Sequence, residues 1–113
     1  MMKIYHNPRC TKSRQGVAFL EEAKVDFEII KYLETPLKKE ELKDILVKLN
    51  YTPIQLVRKT EAIWKENFKG KELSDEEIIE AMVSNPKLIE RPIILKDNKA
   101  VVARPTEKIS ELL

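Results

Sequence analysis

The sequence is poor in cysteine, histidine and glycine. It has one cysteine, Cys10, one histidine, His6, and two glycines among 113 residues. A single cysteine excludes an internal disulfide, and with one histidine it cannot supply a soft-metal site of several Cys and His ligands. Two glycines beside six prolines indicate a well-defined chain without flexible linkers. We therefore expect no metal, and a reducing, cytoplasmic location for the lone thiol.

Long apolar runs and a strong charge of one sign are also lacking. No run approaches the roughly 18 apolar residues of a membrane-spanning helix, and the first residues lead into no secretion signal. The formal net charge is +2 and no basic block occurs, which argues against a nucleic-acid partner. A composition of 42% hydrophobic and 35% charged residues is typical of a soluble globular protein. We expect neither a membrane nor a nucleic acid as partner.

The apolar patterns predict an α/β protein. A strand at 3–5, a helix at 11–23 and a strand at 26–32 form a βαβ unit, which implies a parallel pair. The middle is helical, with start signals at Glu34-Thr35-Pro36, Thr52-Pro53, Thr60 and Ser74. Strands at 93–95 and 100–102 flank a polar turn, and Pro105 can open a last helix that turns Ile109, Leu112 and Leu113 to one side.

The order βαβ, helical insertion, ββα predicts a thioredoxin-like mixed sheet in a three-layer α/β/α sandwich. We expect a single domain over residues 1–113, with the helical insertion at about 37–86.

Cys10 lies where the first predicted strand passes into the first predicted helix. The free N–H groups of residues 11–14 and the positive end of the helix dipole favour a thiolate there, whereas an ordinary thiol is only about 3% ionised at pH 7. His6 stands four residues earlier. The alternative is that Cys10 is a small buried apolar residue and His6 is incidental.

The residues that follow Cys10 restrict its chemistry. Ser13 stands where a Cys-x-x-Cys motif would have its second thiol, and Gly16 stands where a Cys-x5-Arg phosphate loop would have its arginine. If Cys10 turns over through a disulfide, the second thiol must therefore come from another molecule.

Three arginines lie outside the apolar patterns, namely Arg58, Arg91 and Arg104. The last two precede prolines, which holds them extended and fixes where they project. Guanidinium groups bind tetrahedral oxyanions in paired geometry and do not deprotonate. In a thioredoxin-like sheet the loop before the third strand, here Arg91-Pro92, passes beside the nucleophile. Each arginine could equally be an ordinary surface residue.

Five segments, in order along the chain, resemble the glutaredoxin-coupled arsenate reductases. They are His6-Asn7-Pro8-Arg9-Cys10-Thr11-Lys12-Ser13-Arg14, Tyr32-Leu33-Glu34-Thr35-Pro36, Leu56-Val57-Arg58-Lys59, Arg91-Pro92-Ile93 and Ala103-Arg104-Pro105-Thr106-Glu107. That family has a thioredoxin-like fold with a helical insertion. Its nucleophile is the cysteine of the His-Asn-Pro-x-Cys segment.

The resemblance assigns a role to each matching residue. Cys10 would be the nucleophile and His6 a group that tunes its ionisation, while Pro92 would be structural. The oxyanion would be bound by a further set of residues: Arg58, Arg91 and Arg104, with Ser13 and Arg14 in the first turn of the helix.

The implied activity is the reduction of arsenate to arsenite for arsenic detoxification. Glutathione would be the co-substrate, glutaredoxin the partner, and no cofactor would be bound; we expect a monomer. Two related activities stay open: a glutathione-dependent thiol reductase of unknown substrate, and a redox-sensing regulator that binds RNA polymerase. Ser13 argues against the regulator, which typically senses oxidants with a Cys-x-x-Cys, and the presence of Arg104 favours the arsenate reductase.

Overall fold

The computed structural model describes residues 2–113, which fall into two compact units. The first comprises the chain up to Thr35 together with Arg91–Leu113, and the second is Pro36–Glu90. The second unit takes in the whole of the predicted helical insertion. That the two units form one domain stays a prediction. Among the described residues, no helix is both long enough and apolar enough to cross a membrane.

A mixed four-stranded sheet forms the first unit. Its strands are β1 (Met2–Tyr5), β2 (Phe27–Ile30), β3 (Ile93–Lys96) and β4 (Lys99–Val102), in the order β2-β1-β3-β4. β1 and β2 are parallel, whereas β3 is antiparallel to both β1 and β4. The α/β class, the order of the elements along the chain and the parallel pairing of β1 with β2 are therefore confirmed. The strands β3 and β4 extend further than predicted, which reduces the turn between them to Asp97 and Asn98.

The core of this unit lies between the sheet and two helices. Helix α1 (Thr11–Glu22) crosses over between the parallel strands, and the second helix is a C-terminal 3₁₀ helix (Thr106–Leu112). Apolar side chains from the sheet and both helices form one buried cluster: Met2, Ile4, Leu20, Ile94, Ala103, Ile109 and Leu112. Burial of such side chains stabilises each by roughly 1.5–3 kcal/mol. This packing holds α1, whose N-cap residue is Cys10, against the sheet.

The C-terminal helix differs from the sequence prediction. It is a 3₁₀ helix, in which the Lys108 N–H donates to the Pro105 carbonyl at 3.1 Å. Three residues per turn place side chains at i and i+3 directly above one another. Ile109 and Leu112 are therefore both buried, whereas Leu113 is 52% exposed. The prediction that Leu113 shares their apolar side was wrong.

The second unit is helical. Its elements are α2 (Lys39–Leu49), α3 (Pro53–Leu56), α4 (Ala62–Asn67), α5 (Asp75–Ser84) and a 3₁₀ turn (Pro86–Leu88). Ser74 caps α5 as predicted: the Glu77 N–H donates to Ser74 Oγ at 3.2 Å, and the Ser74 N–H donates to Glu77 Oε1 at 3.0 Å. This reciprocal pair satisfies two N–H groups that the helix itself cannot bond.

The start of α4 corrects a second prediction. Thr60 was expected to cap this helix, but the N-cap position is Glu61. The Thr60 hydroxyl instead accepts a hydrogen bond from Arg58 Nε at 3.2 Å. The side chain of Thr60 therefore bonds to Arg58 and does not cap the helix that follows.

Candidate active site around Cys10

Cys10 is the N-cap residue of α1. Its backbone is extended, with φ −94° and ψ 122°, so the helix begins at the following residue. The Cys10 N–H donates to the Asn7 carbonyl at 3.0 Å, and the Cys10 carbonyl accepts from the Arg14 N–H at 3.0 Å. The thiol is half-buried. The predicted position of Cys10 at the junction of strand and helix is thus observed.

The environment of the Cys10 thiol favours the thiolate. Partial burial is the largest single influence and opposes ionisation. Hydrogen bonds from the backbone N–H groups of Ser13 and Lys12, together with the hydrogen bond and positive charge of Arg91, outweigh it. The pKa of the thiol is therefore lowered from its ordinary value. The helix start was predicted to lower this pKa, and two N–H groups of its first turn, those of Lys12 and Ser13, have that effect.

Arg104 and Arg91 converge on the sulfur from the other end of the chain. Arg104 Nη2 donates to Cys10 Sγ at 3.7 Å, and Arg104 Nε donates to the Arg91 carbonyl at 2.7 Å. The Arg91 side chain, only 7% exposed, is also hydrogen-bonded to the thiol. Two guanidinium groups thus adjoin one sulfur, an arrangement that attracts an anion with several oxygen acceptors.

The two Arg-Pro segments are joined to each other and to α1. The Ala103 N–H donates to the Pro92 carbonyl at 2.9 Å, and the Arg91–Pro92 and Arg104–Pro105 peptide bonds are both cis. Pro92 lies so close to α1 that a Cβ atom on Gly16 would come within 3.0 Å of Pro92 Cγ. Gly16 therefore permits the close approach of Pro92 to the helix that carries Cys10. The structural role predicted for Pro92 remains a prediction, and this contact is what supports it.

Ser13, in the first turn of α1, contacts the loop at residues 6–10 that precedes the helix, which we call the Cys10 loop. Its side chain is completely buried. Its hydroxyl oxygen accepts from the Asn7 N–H at 2.9 Å and lies 2.6 Å from His6 Nδ1. The Ser13 hydroxyl is thus engaged within the protein, and it is the Ser13 backbone N–H that contacts the thiol. Any contribution of Ser13 to anion binding would therefore come through its backbone.

The surroundings of His6 favour the neutral imidazole. Burial, the charge of Lys31 and the charge of Arg14 lower the pKa of His6 from its ordinary value, in that order of size. With a neutral ring, the Ser13 hydroxyl can donate to His6 Nδ1 while its oxygen accepts from Asn7. This geometry connects His6 to Cys10 through Ser13. That His6 tunes the ionisation of Cys10 stays a prediction.

The remaining two predicted residues have different surroundings. The Arg14 side chain is exposed and donates to the Pro8 carbonyl at 2.8 Å and to Thr11 Oγ1 at 3.2 Å, bracing the Cys10 loop. Arg58 belongs to the second unit, where its Nε also lies 4.0 Å from Glu61 Oε1. The predicted role of each in binding an oxyanion stays a prediction.

Sequence reasoning gave no role to Asn7, although the structure makes it a centre of the loop. Its side-chain oxygen accepts from the Arg9 N–H at 3.0 Å, and its backbone bonds to both Ser13 and Cys10. An Asn followed by Pro is a turn signal that could have indicated this role. Within residues 2–113, no group of three or more His, Cys, Asp or Glu side chains could hold a metal ion.

The chain is similar to several known proteins over nearly its whole length. An uncharacterized protein, YfgD, of Escherichia coli strain K12 is 45% identical over 99% of this chain and 96% of its own length. An arsenate reductase of Neisseria meningitidis serogroup A is 40% identical over 99% of this chain and 97% of its own. The solved structure of an arsenate reductase from Vibrio cholerae superposes with a TM-score of 0.94, at 41% identity, over 99% of this chain and 97% of that one.

These similarities confirm the thioredoxin-like fold and the resemblance seen in the five sequence segments. The model of the ArsC family matches residues 5–112, a range that includes both Cys10 and Arg104. The chain therefore belongs to the ArsC family.

Proposed function

We propose that the protein is an arsenate reductase, an oxidoreductase that uses Cys10 as nucleophile, glutathione as co-substrate and glutaredoxin to restore the thiol. The observation that carries the proposal is the contact of Arg104 Nη2 with Cys10 Sγ at 3.7 Å, beside the Arg91 side chain and the first N–H groups of α1. The relative in Neisseria meningitidis and the structure from Vibrio cholerae are both named arsenate reductases.

Attack on arsenate requires an anionic sulfur and positive charge beside it, and the site around Cys10 offers both. Arsenate is a tetrahedral anion, so an anionic sulfur can approach it only where positive charge offsets their repulsion. Arg91, Arg104 and the backbone N–H groups of Lys12 and Ser13 supply that charge. Arg58 is proposed as a third guanidinium on the strength of the resemblance in Leu56-Val57-Arg58-Lys59.

The first step joins sulfur to arsenic. The Cys10 thiolate attacks As(V), a sulfur–arsenic bond forms, and one arsenate oxygen leaves as hydroxide, which takes a proton to become water. The guanidinium groups stabilise charge on the remaining oxygens. Such stabilisation is worth about 10²- to 10³-fold in rate for a single well-placed donor.

The second step reduces arsenic. The glutathione thiolate attacks the Cys10 sulfur, and the sulfur–arsenic electron pair stays on arsenic, which leaves as arsenite, As(III). Each sulfur gives one electron, and a Cys10–glutathione disulfide remains. Glutaredoxin then attacks the glutathione sulfur and releases the Cys10 thiolate. An external thiol is needed because Cys10 is the only cysteine in the chain.

The proposal is tested by coupled turnover. Purified protein is supplied with arsenate, glutathione, glutaredoxin, glutathione reductase and NADPH, and NADPH oxidation is followed. We expect arsenate-dependent oxidation that Cys10→Ser abolishes. No turnover above the protein-free background at millimolar arsenate would overturn the proposal. A Cys10–glutathione disulfide that glutaredoxin reverses, with no effect of arsenate, would instead identify a glutathione-dependent thiol reductase.

The choice of reducing partner is tested in the same assay. Replacing glutathione and glutaredoxin by thioredoxin, thioredoxin reductase and NADPH should stop turnover, since the chain has no second cysteine to form a disulfide that thioredoxin could reduce. Sustained turnover with thioredoxin would contradict the coupling to glutaredoxin while leaving arsenate reduction in place.

A further inference from the structure

A groove of about 540 Å³ runs beside the Cys10 loop, between the outer side of α1 and the start of the C-terminal 3₁₀ helix. We call it the side groove. Its walls include Lys12, Gln15, Phe19 and Glu22 from α1, and Thr106 and Glu107 from the 3₁₀ helix. None of these side chains belongs to the set that we place around the oxyanion.

Two residues that line the side groove are close in sequence to groups that contact the reactive sulfur. Lys12 follows Cys10 by two residues, and its own backbone N–H is bonded to the sulfur. Thr106 follows Arg104 by two residues, and the Arg104 guanidinium contacts the sulfur as well. Both walls therefore start within two residues of groups that touch Cys10.

The two walls are joined and carry opposite charges at different points. Thr106 Oγ1 donates to Gln15 Oε1 at 3.4 Å across the groove. The lysine Lys12 lies at the end near Cys10, whereas Glu22 lies ten residues further along α1, about 15 Å away at 1.5 Å per residue. Glu107 stands on the opposite wall. The groove thus offers a cation at the end of α1 that follows Cys10, one carboxylate at the far end of its α1 wall and one carboxylate on the opposite wall, next to Thr106.

We propose that the side groove binds glutathione, with Lys12 facing one of its carboxylates and with Glu22 and Glu107 facing its γ-glutamyl ammonium. This inference rests on the proposed function, which requires an external thiol at Cys10. An extended tripeptide spans about 10–11 Å, which fits within the length of the groove. Lys12 can pair with one of its two carboxylates, the glutamates of the groove can pair with its single ammonium, and Phe19 offers an apolar surface on the α1 wall.

A glutathione site separate from the oxyanion site would prevent the two ligands from competing. Glutathione carries two carboxylates, which would compete with arsenate for Arg91 and Arg104 if no other cation were available. Lys12 provides that other cation on the groove side of Cys10. The oxyanion and the thiol donor can therefore occupy the protein together, as the second step of the reaction requires.

The proposal is tested by calorimetric titration of the full, unmodified chain with S-methylglutathione, which cannot exchange with Cys10. The same titration uses N-acetyl-S-methylglutathione, which lacks the ammonium. We expect the unacetylated ligand to bind about 3- to 10-fold more tightly than the acetylated one. The double variant Glu22→Gln/Glu107→Gln should lose this preference, because the carboxylates that face the ammonium are gone.

A matched control is the double variant Glu21→Gln/Glu111→Gln. It removes the same charge from the same two helices at exposed positions that do not line the side groove. It should keep the preference for the ammonium. Absence of saturable binding to the unmodified chain, or equal loss of preference in both double variants, would overturn the proposal.

Turnover separates this proposal from the function on which it rests. Binding of S-methylglutathione in the groove without arsenate turnover would remove the proposed function and leave the site. Arsenate turnover with an unchanged KM for glutathione in Glu22→Gln/Glu107→Gln would remove the site and leave the function. A change in the KM for glutaredoxin alone would show that the groove is a protein-docking surface, which also overturns the proposal.

Discussion

Arg104 Nη2 lies 3.7 Å from Cys10 Sγ although the two residues are 94 positions apart in the chain. The contact is fixed from behind, because Arg104 Nε donates to the Arg91 carbonyl at 2.7 Å. The guanidinium therefore cannot swing away without losing a second hydrogen bond. The Nε side of the Arg104 guanidinium is hydrogen-bonded to Arg91, and its Nη2 faces the sulfur. The guanidinium is therefore already oriented for an anion before the anion binds.

Arg104→Ala should lower arsenate turnover by about 10²-fold or more, because one donor to the developing charge is removed. Arg104→Lys should recover only part of this loss, since an ammonium cannot bond in paired, planar geometry. The measurement is kcat/KM for arsenate in the coupled assay, with exposed Lys99→Ala as control. An Arg104→Ala enzyme within twofold of the unmodified one would show that this contact has no part in catalysis.

The lowered pKa of Cys10 predicts a pH dependence. The thiol ionises at lower pH in the folded protein than in the unfolded chain, so the absorbance of the thiolate should appear at lower pH in buffer than in urea. The resulting stabilisation is fully present above the unfolded pKa and is lost as the pH falls through the folded pKa. The free energy of unfolding of the Cys10→Ser variant should lack this contribution.

Arg91 is one of the groups that lower this pKa. Arg91→Ala should therefore shift the ionisation of Cys10 to higher pH. Arg9→Ala, at an exposed position next to Cys10, serves as the control and should shift it less. Equal shifts in both variants would mean that general positive charge, rather than the Arg91 contact, governs the thiol.

The parts of the fold that depend on local signals could be predicted from the sequence. Ser74 and Glu77 form a capping box within four residues, so the start of α5 was predicted correctly. Leu113 was misplaced because an apolar pattern does not distinguish 3.6 residues per turn from three. Thr60 was misplaced because its hydroxyl bonds to a side chain, Arg58, rather than to the helix.

The candidate site depends on longer-range contacts, which local patterns do not encode. The position of Cys10 at a helix start followed from the order of strand and helix. The approach of Arg104 to Cys10 joins residues 94 positions apart, so the sequence could indicate Arg104 only as an arginine before a proline, and its place beside Cys10 came from the resemblance. The buried hydroxyl of Ser13 between His6 and Asn7 was not predicted, because polar residues in a first helical turn are usually solvated.

Ser13→Ala should lower the free energy of unfolding by about 1–3 kcal/mol, because it leaves a buried N–H without its acceptor. The affected groups are the Asn7 N–H and His6 Nδ1. Urea unfolding measures the change, and Ser110→Ala, at an exposed position, should stay within about 0.5 kcal/mol of the unmodified protein. A loss no larger in Ser13→Ala than in the control would contradict this role for the hydroxyl.

The two glycines should respond differently to alanine. In Gly16→Ala the new Cβ would meet Pro92 Cγ at 3.0 Å and Ile4 Cδ1 at 3.2 Å. A gain in helix propensity of up to about 1 kcal/mol is then outweighed by overpacking, which costs about 1–3 kcal/mol. Because Pro92 follows Arg91, kcat/KM should fall as well.

Gly70→Ala provides the comparison. A Cβ there meets no atom within 4 Å, but φ is +81°, which costs about 1–2 kcal/mol for a residue with a side chain. Thermal unfolding should show a loss of stability in both variants, whereas the coupled assay should show a loss of activity only in Gly16→Ala. An active, stabilised Gly16→Ala variant would show that the contact with Pro92 relaxes freely.

Arg58→Ala should lower kcat/KM for arsenate if Arg58 is the third guanidinium of the site, by about 10-fold or more. The neighbouring cation gives a matched control, since Lys59→Ala removes the same charge from an exposed position one residue away. Similar kinetics in the two variants would remove Arg58 from the proposed site and leave Arg91 and Arg104.

The most direct measurement is a crystal structure of the protein in the presence of arsenate. The account predicts a tetrahedral anion bonded to the guanidinium groups of Arg91 and Arg104, with its arsenic atom next to Cys10 Sγ or joined to it. An anion bound elsewhere, or a Cys10 environment still unoccupied at saturating arsenate, would contradict it.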